Sequence, residues 1–280
     1  MRLAGAELVE RREVLPGTWL QAWHAPPVVS GARAGQYVHV RTTEAGLPVR
    51  LPYPIATADA ATGVLTLLSG AGPWASTVRV GDRAELAGPL GRSFEVDPRS
   101  RHLLLVAEGA SIASLRLLVD EAVRDARSVV LLYGARSAGE VYPTSLLPDE
   151  VEYVVATEDG SLGHRGSVAD LVPDYEAWAD QAFAAGPSSL LGALAALAAG
   201  RRQRLGVATL GRKRGGGRPP APGSTEARRK AFLQVAVEQG VGCAAGTCLG
   251  CAVEGSGGVP QRACREGPVF AADELAWGAA

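Results

Sequence analysis

Residues 102–126 read HLLLVAEGASIASLRLLVDEAVRDA, and this stretch decides the class of the fold. Its first five residues form a continuous apolar run, which is typical of a strand buried on both faces of a parallel sheet. From Ser111 to Ala126 apolar residues recur at helical spacing. Those on one face are Ile112, Leu115, Val119 and Val123. The stretch therefore predicts a buried strand followed by a helix that packs on the sheet.

The same alternation continues toward the C-terminus. We predict further strands at Val129–Tyr133, Val151–Ala156 and Ala182–Ala184, and a helix at Ser188–Ala199. Strands that alternate with helices indicate a parallel sheet with helices on its faces.

The sequence before residue 99 has a different character. Short strand candidates, Tyr37–Arg41, Val64–Leu68 and Arg83–Leu86, stand between turns that contain Gly, Pro or Asp. Regularly spaced short strands with such turns predict a small antiparallel β-barrel.

All four cysteines lie near the C-terminus, at Cys243, Cys248, Cys251 and Cys264, with the spacing C-x4-C-x2-C-x12-C. The first three stand in GCAAGTCLGC, whose small residues let backbone N–H groups approach a metal–sulfide core. The x4 then x2 order is that of plant-type [2Fe–2S] ferredoxins. Structural zinc sites usually have two C-x2-C pairs, whereas this chain has one, and a disulfide would need an oxidising compartment. The spacing therefore favours a [2Fe–2S] cluster over zinc or a disulfide.

Composition narrows the function classes further. The chain has 280 residues, 47% hydrophobic and 20% charged, as expected for a soluble globular protein. It has neither a secretory signal pattern nor an apolar run of membrane-spanning length, so we expect a cytoplasmic protein with no membrane span. Residues 201–230 carry ten Lys/Arg against one acid, Glu226, which is a local charge of +9. They are also rich in Gly and Pro and lack interleaved aromatic residues, so we predict an exposed insertion without a nucleic-acid partner.

Several motifs resemble those of one family. AGQYV at 34–38 is similar to a PGQF strand, GPLG at 88–91 to a GPLG turn, and TEDGS at 157–161 to a T-x-DGS segment. The most specific match is RACREGPVF at 262–270, which differs from the family string R-x-C-x-DGPVF only at Glu266. The chain thus resembles the electron-transfer subunit of class 1B dihydroorotate dehydrogenase, within the ferredoxin–NAD(P) reductase superfamily.

The resemblance implies a fold and a function. It implies an antiparallel β-barrel that binds FAD (1–98), a parallel α/β domain that binds NAD (99–202), the basic insertion (203–229) and a C-terminal [2Fe–2S] segment (230–280). Electrons would pass between NAD(H), FAD and the cluster to an FMN-containing dihydroorotate dehydrogenase catalytic subunit, in a heterotetramer that serves pyrimidine biosynthesis. The chain would then be an oxidoreductase subunit, and we assign it no catalytic residue of its own.

The flavin and dinucleotide motifs depart from the family. The family strand R-P-x-S is replaced here by Leu51-Pro52-Tyr53-Pro54, which has neither the Arg nor the Ser, and Arg50 stands one residue early. In a strand, a shift of one residue points the side chain to the opposite face. The residues that we place at the flavin and NAD positions are Gly35, Arg50, Pro52, Tyr53, Gly70, Gly72, Gly109 and Gly186.

These departures leave the function open at this point. In one hypothesis, the chain is an electron-transfer flavoprotein that holds FAD through backbone contacts and substitute side chains. In another, it is an iron–sulfur adaptor or regulator that has lost flavin or NAD binding. A third keeps the reductase but assigns it to another redox complex.

Overall fold

The computed structural model describes residues 2–42, 50–70, 77–204, 229 and 231–278. In this part of the chain six antiparallel strands close a barrel in the order β1-β2-β5-β4-β3-β6. The strands are β1 (Arg2–Leu15), β2 (Thr18–His24), β3 (Tyr37–Thr42), β4 (Leu51–Asp59), β5 (Val64–Ser69) and β6 (Arg83–Leu90). A short helix, α1 (Pro26–Val29), follows β2. The predicted barrel is confirmed, and each strand predicted within it is found.

Alternation of buried and exposed side chains explains why these strands close. Along β1, Ala4, Ala6 and Leu8 point inward while the residues between them are exposed. Trp23 of β2 is fully buried in the same core. The hairpin turns use glycines with positive φ, at Gly17 (70°) and Gly63 (70°), where a side chain would be strained.

The second layer is a seven-stranded sheet in the order β10-β9-β8-β7-β11-β12-β15. Every neighbouring pair is parallel except β12 and β15. Its strands are β7 (His102–Glu108), β8 (Ser128–Ala135), β9 (Glu152–Thr157), β10 (His164–Arg165), β11 (Gln181–Ala185), β12 (Leu233–Ala236) and β15 (Val269–Ala271). The two remaining strands, β13 (Ala252–Val253) and β14 (Gln261–Arg262), form a separate hairpin.

Three helices accompany this sheet: α2 (Ala113–Arg124), α3 (Val172–Glu176) and α4 (Ser188–Arg204). The helix predicted at 111–126 begins with a 3-10 turn at Gly109–Ile112 and is α-helical from Ala113. The helix predicted to end at Ala199 continues to Arg204. Of the insertion at 203–229, only the ends lie within the described residues.

The C-terminal segment belongs to the sheet. Strand β12 adds to β11 in parallel, and β15 pairs with β12 antiparallel. Sequence patterns had not predicted these two strands, which are four and three residues long. The cysteine segment is thereby fixed to the edge of the α/β layer.

The barrel packs against this C-terminal edge. The Gln234 side chain of β12 hydrogen-bonds the Glu95 backbone twice, accepting from its N–H at 2.9 Å and donating to its carbonyl at 2.6 Å. A Cβ on Gly35, whose φ is +86°, would come within 2.6 Å of Val269 and 2.8 Å of Phe94. The barrel, the sheet edge and the cysteine segment therefore meet in one packed junction.

Among the helices of the described residues, none combines the length and the apolar character that crossing a membrane requires.

Candidate functional site

The first three cysteines lie on the loop between β12 and β13, and Cys264 lies just after β14. The loop turns sharply, because Ala244 (φ 53°), Gly246 (φ 78°) and Leu249 (φ 56°) have left-handed backbone conformations. Such conformations curl a loop and turn backbone N–H groups inward, as an anionic sulfur site needs.

The four thiols form two pairs. Cys243 and Cys248 hydrogen-bond each other on the exposed part of the loop. Cys251 and Cys264, which are 1% and 4% exposed, hydrogen-bond each other beneath it. The amide of Ala263 donates to the Cys251 carbonyl at 3.0 Å, which ties the two segments together. The fold thus gathers all four predicted ligands from segments that are 12 residues apart in sequence.

This pairing fits a cluster of two irons. A [2Fe–2S] cluster takes two thiolates on each iron, and two pairs of thiols supply that number. The donor set is also chemically suitable, since four thiolates are the usual ligands of such clusters.

The local environment shifts the pKa values of Cys243 and Cys264 in opposite directions. A backbone hydrogen bond from Cys248 and further bonds from Thr247 and Ala245 lower the pKa of Cys243 to about 5. The Thr247 hydroxyl lies 3.6 Å from the Cys243 sulfur and the Ala245 amide nitrogen 3.4 Å. Burial, and then the thiol of Cys251, raises the pKa of Cys264 to about 11. Cys243 is therefore set up as a thiolate at neutral pH, whereas Cys264 needs the metal to lose its proton.

A second feature lies on the barrel beside the cysteines. Among the described residues of the barrel, three buried side-chain polar atoms have no hydrogen-bond partner: the Tyr37 hydroxyl, His39 Nε2 and Arg50 Nη1. Tyr37 packs in the same core as Cys251 and Cys264. Unpaired buried polar atoms are rare in folded proteins, so their grouping indicates a place for a polar ligand.

Strand register places the predicted flavin residues. Tyr37 faces Pro54 and His39 faces Pro52 across the β3–β4 ladder. Side chains alternate along a strand, so Pro52 and Arg50 share the face of His39. Tyr53 pairs with the fully buried Val38 on the opposite face, where burial raises its pKa to about 12.

The remaining predicted flavin residues lie elsewhere. Gly35 lies in the junction described above, where it packs closely against Val269 and Phe94. Gly70 is an exposed residue directly after β5. Gly72 lies outside the described residues. The structure therefore brings Arg50 and Pro52 together with Tyr37 and His39.

The predicted dinucleotide residues meet at the carboxyl end of the parallel sheet. Gly109 follows β7 and Gly186 follows β11, two strands that are neighbours in the sheet although far apart in sequence. Strand β8 lies on one side of β7 and β11 on the other, so the strand order reverses at β7. In parallel sheets, ligands usually bind in the crevice at the carboxyl end of such a reversal. Gly186 also lies at one end of a groove of about 1120 Å³ between α4 and residues 272–278.

A carboxylate occupies this crevice. The Glu108 side chain lies 3.4 Å from where a Cβ of Gly134 would be and 3.6 Å from where a Cβ of Gly186 would be. Burial, and then the nearby Glu158, raises the pKa of Glu108. A dinucleotide bound here would bring its phosphates close to these acidic groups.

Sequence reasoning missed Tyr37 and His39 as site residues. The signal that could have identified them is their alternation in the strand YVHVRT, which places two polar rings on the face opposite the apolar Val38 and Val40. Alternation alone, however, cannot show that this face is covered by the cysteine segment.

Comparisons with known proteins agree with this geometry. The family profile described as the iron–sulfur cluster binding domain of dihydroorotate dehydrogenase B matches residues 238–276. The electron transfer subunit of dihydroorotate dehydrogenase B (NAD(+)) from Desulforamulus reducens is 31% identical over 275 residues, covering 94% of each chain. The same subunit from Geobacillus thermodenitrificans is 27% identical over 277 residues, covering 96% of each chain.

Solved structures show the same fold. An NADH-dependent reduced ferredoxin–NADP oxidoreductase superposes with a TM-score of 0.76 at 22% identity, covering 97% of this chain and 90% of the other. The ferredoxin reductase of carbazole 1,9a-dioxygenase gives a TM-score of 0.60 at 22% identity, covering 73% of this chain and 65% of the other. Together with the full-length similarity to the Desulforamulus protein, these findings show that the chain belongs to the family of dihydroorotate dehydrogenase B electron transfer subunits.

Proposed function

We propose that this chain is an electron-transfer subunit that carries electrons between NAD(H), FAD and a [2Fe–2S] cluster for a dihydroorotate dehydrogenase catalytic subunit. One observation carries the proposal. Tyr37 belongs both to the core that holds Cys251 and Cys264 and to the barrel face with unpaired polar atoms. This observation supports a flavin surface next to the cluster ligands, as electron transfer between them would require.

Each part of the chain has a role in this scheme. Cys243 and Cys248 would hold one iron, and Cys251 and Cys264 the other. Bound FAD supplies the exchange between a two-electron hydride and the single electrons that a cluster takes. The barrel, within 1–98, would hold the flavin, the sheet within 99–202 would approach NAD, and residues 230–280 would carry the cluster.

The dinucleotide would approach the carboxyl ends of β7 and β11. Gly109 leaves open space at its Cα, since a Cβ built there meets nothing within 4 Å. Gly186, which has no side chain, places its backbone at the same carboxyl end of the sheet. These two glycines support an NAD site, in which Glu108 and Glu158 would weaken the binding of phosphates.

The exposed side of the cysteine loop supports a protein partner. Leu249, between Cys248 and Cys251, is 60% exposed. Val259, in the turn between β13 and β14, is 63% exposed. An apolar tip next to the cluster offers a docking point at a short electron-transfer distance. We propose that an FMN-containing catalytic subunit docks there, in a heterotetramer of two copies of each subunit.

The visible spectrum of anaerobically purified protein tests the cofactors. We expect [2Fe–2S] bands together with a flavin contribution, and FAD in the supernatant after denaturation. Cluster bands without flavin would support the adaptor hypothesis instead, and zinc without iron would contradict both.

Docking is tested with a charged substitution. Leu249→Glu should abolish co-purification with the catalytic subunit while iron and sulfide contents stay at the wild-type level. Leu162→Glu is the matched control, because Leu162 is 46% exposed on a loop of the α/β layer. Equal complex formation by both variants would exclude the cysteine loop as the docking point, and co-purification with a different oxidoreductase would assign the chain to another complex.

A further inference from the structure

The three unpaired polar atoms lie along one side of the β3–β4 ladder. Tyr37 and His39 alternate on β3, and the register sets them opposite Pro54 and Pro52. Arg50 precedes Pro52 by two residues and so shares its face. We call Tyr37, His39 and Arg50 the polar seam.

Other polar side chains in the described part of the barrel have partners. Gln21 donates to the Ser69 hydroxyl at 2.9 Å and accepts from the Trp23 indole at 3.2 Å. Thr57 and Thr66 share a hydrogen bond of 2.7 Å across β4 and β5. His39, by contrast, is 2% exposed with Nε2 unpaired. Because a buried donor or acceptor without a partner is costly, the seam indicates a ligand that completes it.

The Arg50 guanidinium is held in place on one side only. Nη2 pairs with the Glu85 carboxylate of β6, and Nη1 is left buried and unpaired. Arg41 approaches the same carboxylate from the exposed side, at 4.0 Å. Glu85 thus orients Arg50, and the free N–H is a cationic donor of the kind that binds phosphate oxygens.

The His39 ring is fixed by its surroundings as well. It hydrogen-bonds the Val241 backbone, two residues before Cys243, and its centroid lies 5.7 Å from that of Tyr37. Arg50 lies four positions before Pro54, the residue opposite Tyr37, and four positions are roughly 13 Å of strand. The seam therefore runs from the cysteine segment toward the β3–β4 end of the barrel.

We propose that His39 and Arg50 are the polar flavin contacts of this chain, in place of the side chains that Leu51 and Pro54 lack. Arg50 Nη1 donates to a diphosphate oxygen of FAD, and His39 Nε2 hydrogen-bonds the isoalloxazine or ribityl part. Tyr37 lies at the end of the seam next to the cysteines. The inference rests on the proposed function, because it presumes that the chain binds FAD.

Titration of flavin-depleted, full-length protein with FAD and with riboflavin tests this assignment. Arg50→Met should weaken FAD binding by about tenfold or more and change riboflavin binding less than about twofold, since riboflavin has no phosphate. His39→Leu should weaken both by about tenfold. Arg83→Met, which removes the exposed partner of Glu7, is the control and should bind both ligands as the wild type does.

Stability of the flavin-free protein gives a second readout. His39→Leu loses the hydrogen bond to the Val241 backbone, so it should melt below the wild type without flavin. It should also lose the extra stability that FAD gives the wild type. An FAD-induced rise in melting temperature equal to that of the wild type would overturn the assignment of His39.

The possible failures are distinguishable. Wild-type protein that carries the cluster but binds no FAD would contradict the proposed function. Wild-type protein that binds FAD, while Arg50→Met and His39→Leu bind it equally well, would overturn only the seam. If His39→Leu does not fold, the Arg50→Met variant decides. The phosphate contact is overturned if this variant loses affinity for FAD and riboflavin equally, or if it loses affinity for neither.

Discussion

Arg262 and Glu266 form a bidentate ion pair that fixes the cysteine loop. Arg262 donates from Nε to Glu266 Oε2 at 3.0 Å and from Nη2 to Oε1 at 2.5 Å. The backbone N–H of Arg262 donates to the same carboxylate at 2.8 Å. The remaining nitrogen, Nη1, donates to the Gly246 carbonyl at 3.2 Å. Glu266, the residue that departs from the family string, thus holds the arginine that joins the two cysteine segments.

Breaking this pair should shorten the lifetime of the cluster. Arg262→Met removes the bond to Gly246, which is worth about 1 kcal/mol for a partly exposed group. Loss of the cluster absorbance in the presence of a chelator should then be roughly fivefold faster. Arg265→Met, at an exposed position of the same turn, is the control. Equal rates for the two variants would show that Arg262 does not hold the loop.

Cluster-free protein should show unequal thiol reactivity. The pKa of Cys243 is lowered to about 5, and that of Cys264 is raised to about 11. Because the thiolate is the reactive form, iodoacetamide at neutral pH should label Cys243 at least about tenfold faster than Cys264. Mass spectrometry of the labelled peptides measures the order. Faster labelling of Cys264 would mean that the two pairs do not persist without iron.

Tyr37 should tune the cluster. Burial, and then the nearby Cys264, Cys251 and Cys243, raises the pKa of Tyr37, so its hydroxyl stays protonated and able to donate. A hydrogen bond toward cluster sulfur stabilises the more negative reduced state. Tyr37→Phe should therefore lower the midpoint potential by about 40 mV, which is about 1 kcal/mol for one electron. A redox titration followed by EPR measures the potential, and an unchanged value would show that the Tyr37 hydroxyl does not reach the cluster.

Glu108 should make dinucleotide binding depend on pH. Its pKa is raised, so the carboxyl is neutral at lower pH and ionised at higher pH. An ionised Glu108 repels the phosphates, and NADH binding should tighten as the pH falls. Glu108→Gln should bind NADH roughly fivefold more tightly at neutral pH, about 1 kcal/mol, and should lose this pH dependence. Calorimetric titration at several pH values decides, and unchanged affinity would place the dinucleotide elsewhere.

Gly35 should be essential for the junction of barrel and C-terminal edge. Alanine at this position would need a positive φ and would press on Val269 and Phe94. Gly35→Ala should cost about 2–4 kcal/mol of unfolding free energy. Gly5→Ala, where a Cβ meets nothing within 4 Å, should be neutral or slightly stabilising. Denaturant unfolding compares the two.

The amino-acid sequence by itself determined the features that depend on short segments of the chain. The apolar run at 102–106 and the helical period after it were sufficient to predict the parallel sheet. Burial on both faces and a 3.6-residue repeat can be recognised within a single segment. The spacing of the four cysteines was sufficient for the kind of metal centre, because ligand spacing on a tight loop is also local.

Only the tertiary structure decided how these parts meet. Strands β12 and β15 are too short to show a period. The place of β12 depends on pairing with β11, about 50 residues earlier in the chain, and that of β15 on pairing with β12. The division of the thiols into two pairs depends on where Cys264 returns beside Cys251. The polar seam depends on register, which sets Arg50, His39 and Tyr37 on one face and Tyr53 on the other. Each is a contact between segments distant in sequence, and the energy that selects such contacts comes from burial shared by both partners rather than from either segment alone.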